Sequence, residues 1–222
     1  MVIALDGPAG SGKSSTAKEV ARRLKFVHLD TGAMYRAITL KCLRLQIRAD
    51  NEQELHKIVG STELCFCGSP PDTRIWMDDE DVTRAVRSDE VTKNVSDYCA
   101  PEVVRKILVE QQRSIGRQAS CVCEGRDIGT VVFPQAEVKF FLVASDEARA
   151  RRRQKDFCEI GITKSLDELI AEIRERDRKD STRSNSPLKR AGDAEVLDTT
   201  SLAFNEQVER IVCAAQKCKS GS

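Results

Sequence analysis

Eight residues near the N-terminus constrain this chain more than any other feature: Gly7-Pro8-Ala9-Gly10-Ser11-Gly12-Lys13-Ser14. They fit the pattern G-x-x-x-x-G-K-[ST] at every position. An apolar run, Val2-Ile3-Ala4-Leu5, precedes them, and Ala17, Val20, Ala21 and Leu24 follow at helical spacing. A strand, a glycine loop and a helix in that order turn successive backbone N–H groups inward as an anion nest, with the positive end of the helix dipole at the same spot. Glycines let the chain turn tightly and approach phosphate oxygens with no Cβ in the way. The sequence therefore predicts a nucleoside-triphosphate site on Gly7, Pro8, Ala9, Gly10, Ser11, Gly12, Lys13 and Ser14, with Ser15 beside them. Lys13 is placed to bridge the β- and γ-phosphates of ATP, and the Ser14 hydroxyl to ligate Mg²⁺. A chance glycine turn ahead of a helix is the competing reading; strand, loop and helix in register count against it.

The rest of the chain alternates short apolar runs with helical stretches. Val27-His28-Leu29, Cys121-Val122-Cys123, Val138-Lys139-Phe140-Phe141-Leu142-Val143 and Glu195-Val196-Leu197 read as further strands. Residues 33–45 repeat helical spacing through Tyr35, Ile38, Cys42 and Leu45, and a last helix, about 205 to 217, turns Val208, Ile211, Val212 and Ala215 inward. Such alternation predicts a parallel sheet covered on both faces. At 222 residues the chain suits one sizeable core rather than two. Two segments break the rhythm. Between Thr62 and Val82 two apolar arms flank Gly68-Ser69-Pro70-Pro71-Asp72, which predicts an inserted hairpin. Residues 146–183 are highly charged and helical, with Gly161 marking a break and Pro187 ending the second helix.

Charge and cysteine usage narrow the partners and the compartment. The formal net charge is +1, so no global field draws the chain toward nucleic acid or membrane. No apolar run approaches a membrane span, and the N-terminus reads as a strand rather than a signal peptide. The nine cysteines are odd in number and lack a disulfide framework spacing, which suits a reducing, cytoplasmic compartment. Cys65 with Cys67, and Cys121 with Cys123, are each two apart and therefore share one strand face. No CxxC or histidine partner lies near enough to make either pair a metal site.

The phosphate loop serves several classes of protein. A GTPase needs D-x-x-G and N-K-x-D segments, and neither string occurs. A small kinase remains, in which a second substrate lies beside the triphosphate. Acceptors that already carry phosphate call for arginines, whose planar fork matches phosphate oxygens. Arginines stand in compact settings in Asp30-Thr31-Gly32-Ala33-Met34-Tyr35-Arg36, in Glu124-Gly125-Arg126-Asp127-Ile128-Gly129-Thr130, and at Arg176 and Arg183. Arg176, Asp180 and Arg183 are spaced four and three apart, which puts them on one helix face. Spacing alone equally allows residues 172–180 to be a solvated helix with ion pairs such as Glu172 with Arg176. His28 and His56 read as bystanders because phosphoryl transfer needs no histidine base, and Trp76 reads as hairpin packing.

Together, D-G-P-A-G-S-G-K-S, D-T-G-A-M-Y-R, G-R-D-I-G-T-V-V-F-P and R-x-x-x-D-x-x-R resemble the bacterial-type cytidylate kinases over essentially the whole chain. The resemblance implies an α/β P-loop nucleoside-monophosphate-kinase fold: a parallel five-stranded sheet with helices on both faces, a small β insert and a helical lid. One domain would span residues 1–222, with a monophosphate-binding insert at 62–100 and the lid and lid-side helix at 149–186. It further implies transfer of the ATP γ-phosphate to CMP or dCMP with Mg²⁺, by a monomer whose partners are those small molecules and neither nucleic acid nor membrane. By motif, Arg36, Arg126 and Arg183 would grip the acceptor phosphate with help from Thr31. Arg176 and Asp180 would hold the sugar end, and Ser96, Arg105 and Asp127 would read cytosine. Arg149, Arg152 and Arg153 are lid candidates for neutralising the transferring phosphates. Lys13, Arg126, Arg183 and Arg152 form the expected catalytic set. Two positions depart from the usual pattern: Glu124 stands where the family often carries Asp, and Ser15 where Thr is common. A kinase for another nucleoside monophosphate such as UMP, or a non-catalytic nucleotide-binding regulator, are the alternatives.

Overall fold

The architecture, described for residues 1–70, 72–159 and 161–220 of a computed structural model, is built outward from its first strand. That strand, β1 (Val2–Asp6), lies at the centre of a five-stranded parallel sheet. The other strands are β2 (Val27–Asp30), β6 (Cys121–Gly125), β7 (Val138–Val143) and β8 (Glu195–Asp198), in the order β2-β6-β1-β7-β8. Alternation along β1 assigns its side chains to two layers. Ile3 and Leu5 enter a core with Val122, Phe140, Val20, Val208 and Ile211, under α1 (Lys13–Leu24) and α8 (Phe204–Ser220). Ala4 enters the opposite core with Leu29, Cys121 and Cys123, covered by α2 (Thr31–Arg44), α3 (Glu52–Ser61) and α5 (Glu102–Gln118). Cys121 and Cys123 thus share a buried face, as their spacing requires. Both faces of the sheet are covered by helices, which leaves its carboxyl edge as the place for a ligand.

The excursion between α3 and α4 (Asp89–Cys99) is a three-stranded antiparallel sheet of β3 (Leu64–Cys67), β4 (Arg74–Met77) and β5 (Glu80–Asp81). The hairpin expectation covered two strands; the third is two residues long and carries no apolar signal. Ile75, Met77, Val82 and Val86 dock the small sheet on Ala33 and Ala37 of α2, while Cys65 and Cys67 lie on its exposed side. The charged stretch forms α6 (Asp146–Glu159) and α7 (Leu166–Thr182), with Gly161 at φ 76° between them and a Ser165–Glu168 capping box starting α7. Ala150, Phe157, Leu169 and Ile173 give this helical pair its own small core.

Two expectations need correction. Leu45 is 51% exposed, because α2 stops at Arg44 and Leu45 caps it outside the inward stripe. Helix α7 stops at Thr182, well before Pro187, and Arg183 takes an extended backbone. Arg183 therefore leaves the helix axis and does not continue the Arg176–Asp180 face. Among the described residues no helix is long and apolar enough to cross a membrane.

Candidate active site

The phosphate loop leaves β1 through Gly7, where a Cβ would lie 2.2 Å from the Leu142 carbonyl oxygen, and ends at Gly12, the left-handed N-cap of α1. Both positions require glycine. Lys13 is buried, and its Nζ donates to the Pro8 carbonyl at 2.7 Å and to Ser11 Oγ at 3.3 Å. Burial, reinforced by the Arg126 guanidinium, pushes the Lys13 ammonium well below its usual pKa, against the pull of Glu124 and Asp6. A polyphosphate in the nest would reverse that balance.

Beside the loop, at the ends of β2 and β6, lies a cavity of about 190 Å³. Lys13, Ser14, Thr31 and Arg36 line its loop side; Ser96, Arg105, Arg126 and Asp127 line it further in, and Arg153, Arg176, Asp180 and Arg183 close it. Asp30 caps α2 through the Ala33 amide at 2.8 Å and receives Arg36 Nη2 at 3.2 Å, which aims that guanidinium. Arg126 Nε donates to Asp180 at 2.9 Å, and Ser96 Oγ reaches the other Asp180 oxygen at 3.4 Å. Burial alone would raise the Asp180 pKa; the guanidiniums of Arg126, Arg176 and Arg183 hold it below the usual carboxylate value. Arg105, stacked over Tyr35 at 5.0 Å, donates to Asp127 at 2.5 Å, and Arg183 lies 3.8 Å from the other Asp127 oxygen. Burial and the nearby Arg126 push Arg176 down to about 10. Among the described residues, Nε of Arg36, Arg153 and Arg176 and Nη2 of Arg183 are buried with no hydrogen-bond partner. Such a concentration of unsatisfied cationic donors calls for a bound anion.

The three lid arginines separate. Arg153 lines the cavity. Arg149 is buried beneath the phosphate loop, donating to the Ala9 carbonyl at 3.0 Å and pairing with Asp146 and Asp177. Arg152 reaches past the loop to the Thr199 carbonyl, to Thr199 Oγ1 at 3.1 Å and to the Gly10 carbonyl at 3.4 Å, outside the residues that line the cavity.

Sequence reasoning passed over Asp177 and Asp6, and noted Glu124 without giving it a role. Asp177 accepts from the Ala9 amide at 3.3 Å, tying α7 to the loop. Glu124 accepts from Ser14 Oγ at 2.6 Å and meets His28 Nε2 at 2.9 Å. Asp6 accepts from the amides of Ile128 and Gly129 at 2.8 and 2.7 Å, which anchors the turn carrying Asp127. Only the acidic residue ahead of Gly-Arg-Asp gave a local signal. For Mg²⁺, the donor set fits: one hydroxyl with a carboxylate behind it leaves the remaining positions to phosphate oxygens and water, the usual way that ion is held.

An anion nest beside an arginine-lined acceptor cavity, at the carboxyl edge of a parallel sheet, defines an α/β P-loop phosphotransferase. Comparison with known proteins then gives the branch. The sequence model of the cytidylate kinase family matches residues 3–217, and the chain belongs to that family. A cytidylate kinase of Halalkalibacterium halodurans is 46% identical over 96% of this chain and 96% of its own. A bifunctional pantoate ligase/cytidylate kinase of Synechococcus sp. (strain JA-3-3Ab) is 50% identical over 95% of this chain, which spans 40% of that longer protein. A crystal structure of an uncharacterized protein from Eubacterium ventriosum shares the fold alone, with a TM-score of 0.54 at 12% identity over 97% of this chain and 98% of that one.

Proposed function

We propose that the chain transfers the γ-phosphate of ATP to CMP or dCMP with Mg²⁺ held at Ser14, as a cytoplasmic monomer that reads cytosine through Asp127. The observation that supports this reading most is the buried Arg105–Asp127 pair inside a cavity that Arg36, Arg126, Arg153, Arg176 and Arg183 also line, next to Lys13. The exocyclic amine of cytosine donates to the Asp127 carboxylate, while Ser96 and Arg105 serve the ring's acceptors. Uracil opposes a carbonyl oxygen to the same carboxylate and is rejected. Arg36, Arg126 and Arg183, with Thr31, hold the acceptor phosphate; Arg176 and Asp180 hold the sugar end. Lys13 and the arginines neutralise charge on the transferring group, and a bound Mg²⁺ adds the same neutralisation at the β/γ oxygens. The acceptor oxygen attacks in line, so no side-chain nucleophile is required. Residues 62–100 and 149–186 act as the insert and lid that close over the substrates. Nine cysteines, odd in number and without a disulfide framework spacing, suit a reducing compartment. A coupled assay of ADP release across the common nucleoside monophosphates tests the assignment. CMP and dCMP should lead by orders of magnitude; equal use of UMP would overturn it.

A further inference from the structure

We propose that His28 is a positioning residue for the metal side of the phosphate loop, fixing through Glu124 the direction in which the Ser14 hydroxyl presents its lone pairs. The inference rests on the reading that Ser14 ligates Mg²⁺. Strand pairing creates the arrangement. His28 stands opposite Val122 on neighbouring β2 and β6, and Glu124 stands opposite Asp30, so His28 and Glu124 are diagonal neighbours. Val122 packs in the core beneath α1, so the face shared by His28 and Glu124 is the one that α1 covers. Ser14 lies in the first turn of that helix. The three side chains meet in a line: His28 Nε2 to Glu124 Oε1 at 2.9 Å, and Ser14 Oγ to Glu124 Oε2 at 2.6 Å. His28 is 2% and Glu124 4% exposed, so water does not substitute for the bond between them.

The chemistry of the donors sets the direction of each bond. Carboxylate oxygens only accept, so the bond runs from Nε2–H of His28 to Glu124 Oε1. With Oε1 occupied by His28, Oε2 is left for the single Ser14 proton. A hydroxyl whose proton points back at Glu124 turns both lone pairs away from it, toward the nest, where a cation is ligated. Thr31 Oγ1 donates to the Glu124 carbonyl at 2.6 Å and fixes the backbone from which the carboxylate hangs. Without His28 the carboxylate has an unpaired buried oxygen and a free rotation. Outer partners of this kind typically govern about 10- to 100-fold in metal affinity.

The test reads metal binding directly. Calorimetry gives the affinity of the protein for ADP with Mg²⁺ and with chelator, and the ratio measures metal coupling. His28→Leu should lower that ratio about tenfold while leaving chelated ADP binding and the KM for CMP unchanged. His28→Gln, which can place an amide N–H near the imidazole Nε2, should restore most of it. His28→Asn, one bond shorter, should not, and it decides the question if the leucine variant does not fold. Loss of thermal stability in His28→Leu or His28→Asn with the wild-type ratio retained would overturn the proposal and leave His28 a packing residue. Ser14→Ala separates the two layers. If Ser14→Ala loses the coupling and the His28 variants keep it, only the role of His28 fails; if Ser14→Ala also keeps it, the metal reading falls as well.

Discussion

Lys13, Asp127 and Asp6 are buried ionisable groups whose surroundings set what substitution will do. Lys13 is pushed toward its neutral form by burial and Arg126, and a bound polyphosphate restores the charge. Lys13→Ala should therefore leave unfolding temperature close to wild type while lowering kcat by about 10² or more, the scale of one lost electrostatic contact to the transition state. Near-normal turnover in a folded Lys13→Ala protein would sink the phosphate-loop assignment. Asp127 is tied to Arg105 at 2.5 Å, so Asp127→Asn removes a partner as well as a base reader. Its unfolding free energy in denaturant should drop by about 3 kcal/mol, because a buried guanidinium loses its counter-charge. In kinetics, kcat/KM for CMP should fall strongly and the CMP to UMP ratio should narrow, since the amide can offer N–H₂ to O4 of uracil. An unchanged ratio would mean that Asp127 does not read the base. Burial raises Asp6 from 3.8 to about 6, despite its two amide donors. The folded protein then holds that proton more tightly than the unfolded chain. The resulting stability is full below about pH 3.8 and is lost as pH rises through about 6. Relative to Asp6→Asn, wild type should lose about 2.4 kcal/mol between pH 4 and 7 at 1.36 kcal/mol per unit. Parallel stability curves for the two proteins would refute the shift.

At the level of elements, α6 and α7 carry their own apolar cluster and touch the rest of the molecule largely through charge. Lys164 pairs with Asp89 at 3.0 Å and Lys179 with Asp97 at 2.7 Å, joining α7 and its approach to α4. Lys179–Asp97 is exposed and Lys164–Asp89 part-buried; pairs at the surface contribute about 0.2–1 kcal/mol each, so this seam can open without disturbing the sheet. CMP binding, which on the proposed reading brings its phosphate to Arg36, Arg126 and Arg183, should close it. Hydrogen exchange should slow across about 62–82 and 149–183 when CMP is added, with the sheet strands unchanged. Identical protection in both states would refute closure. Local chemistry made some of this legible. The glycine loop, the strand–helix alternation and the break at Gly161 are written in consecutive residues. Only the helix-face placement of Arg183 fails, because spacing along a helix says nothing once the helix stops, and α7 stops one residue earlier; Arg183 still lines the cavity. The third strand β5 was invisible because two acidic residues carry no strand pattern.

For the whole molecule, the missing information is strand order. His28 and Glu124 are 96 residues apart, and Asp6 and Gly129 are 123 apart; nothing local connects them. They meet because β6 lies between β2 and β1. Sequence motifs therefore showed which arginines gather at the acceptor cavity, but not which carboxylates aim them. The same strand order imposes a timetable on synthesis. β1 is made first, yet its two neighbours begin at Cys121 and Val138. A chain emerging N-terminus first exposes its glycine loop with no sheet behind it until Cys121 is reached. The nest stays unformed until the strands on either side arrive, so a partial chain cannot hold a triphosphate and waste it. Arrival of β6 and β7 is the event that arms the loop.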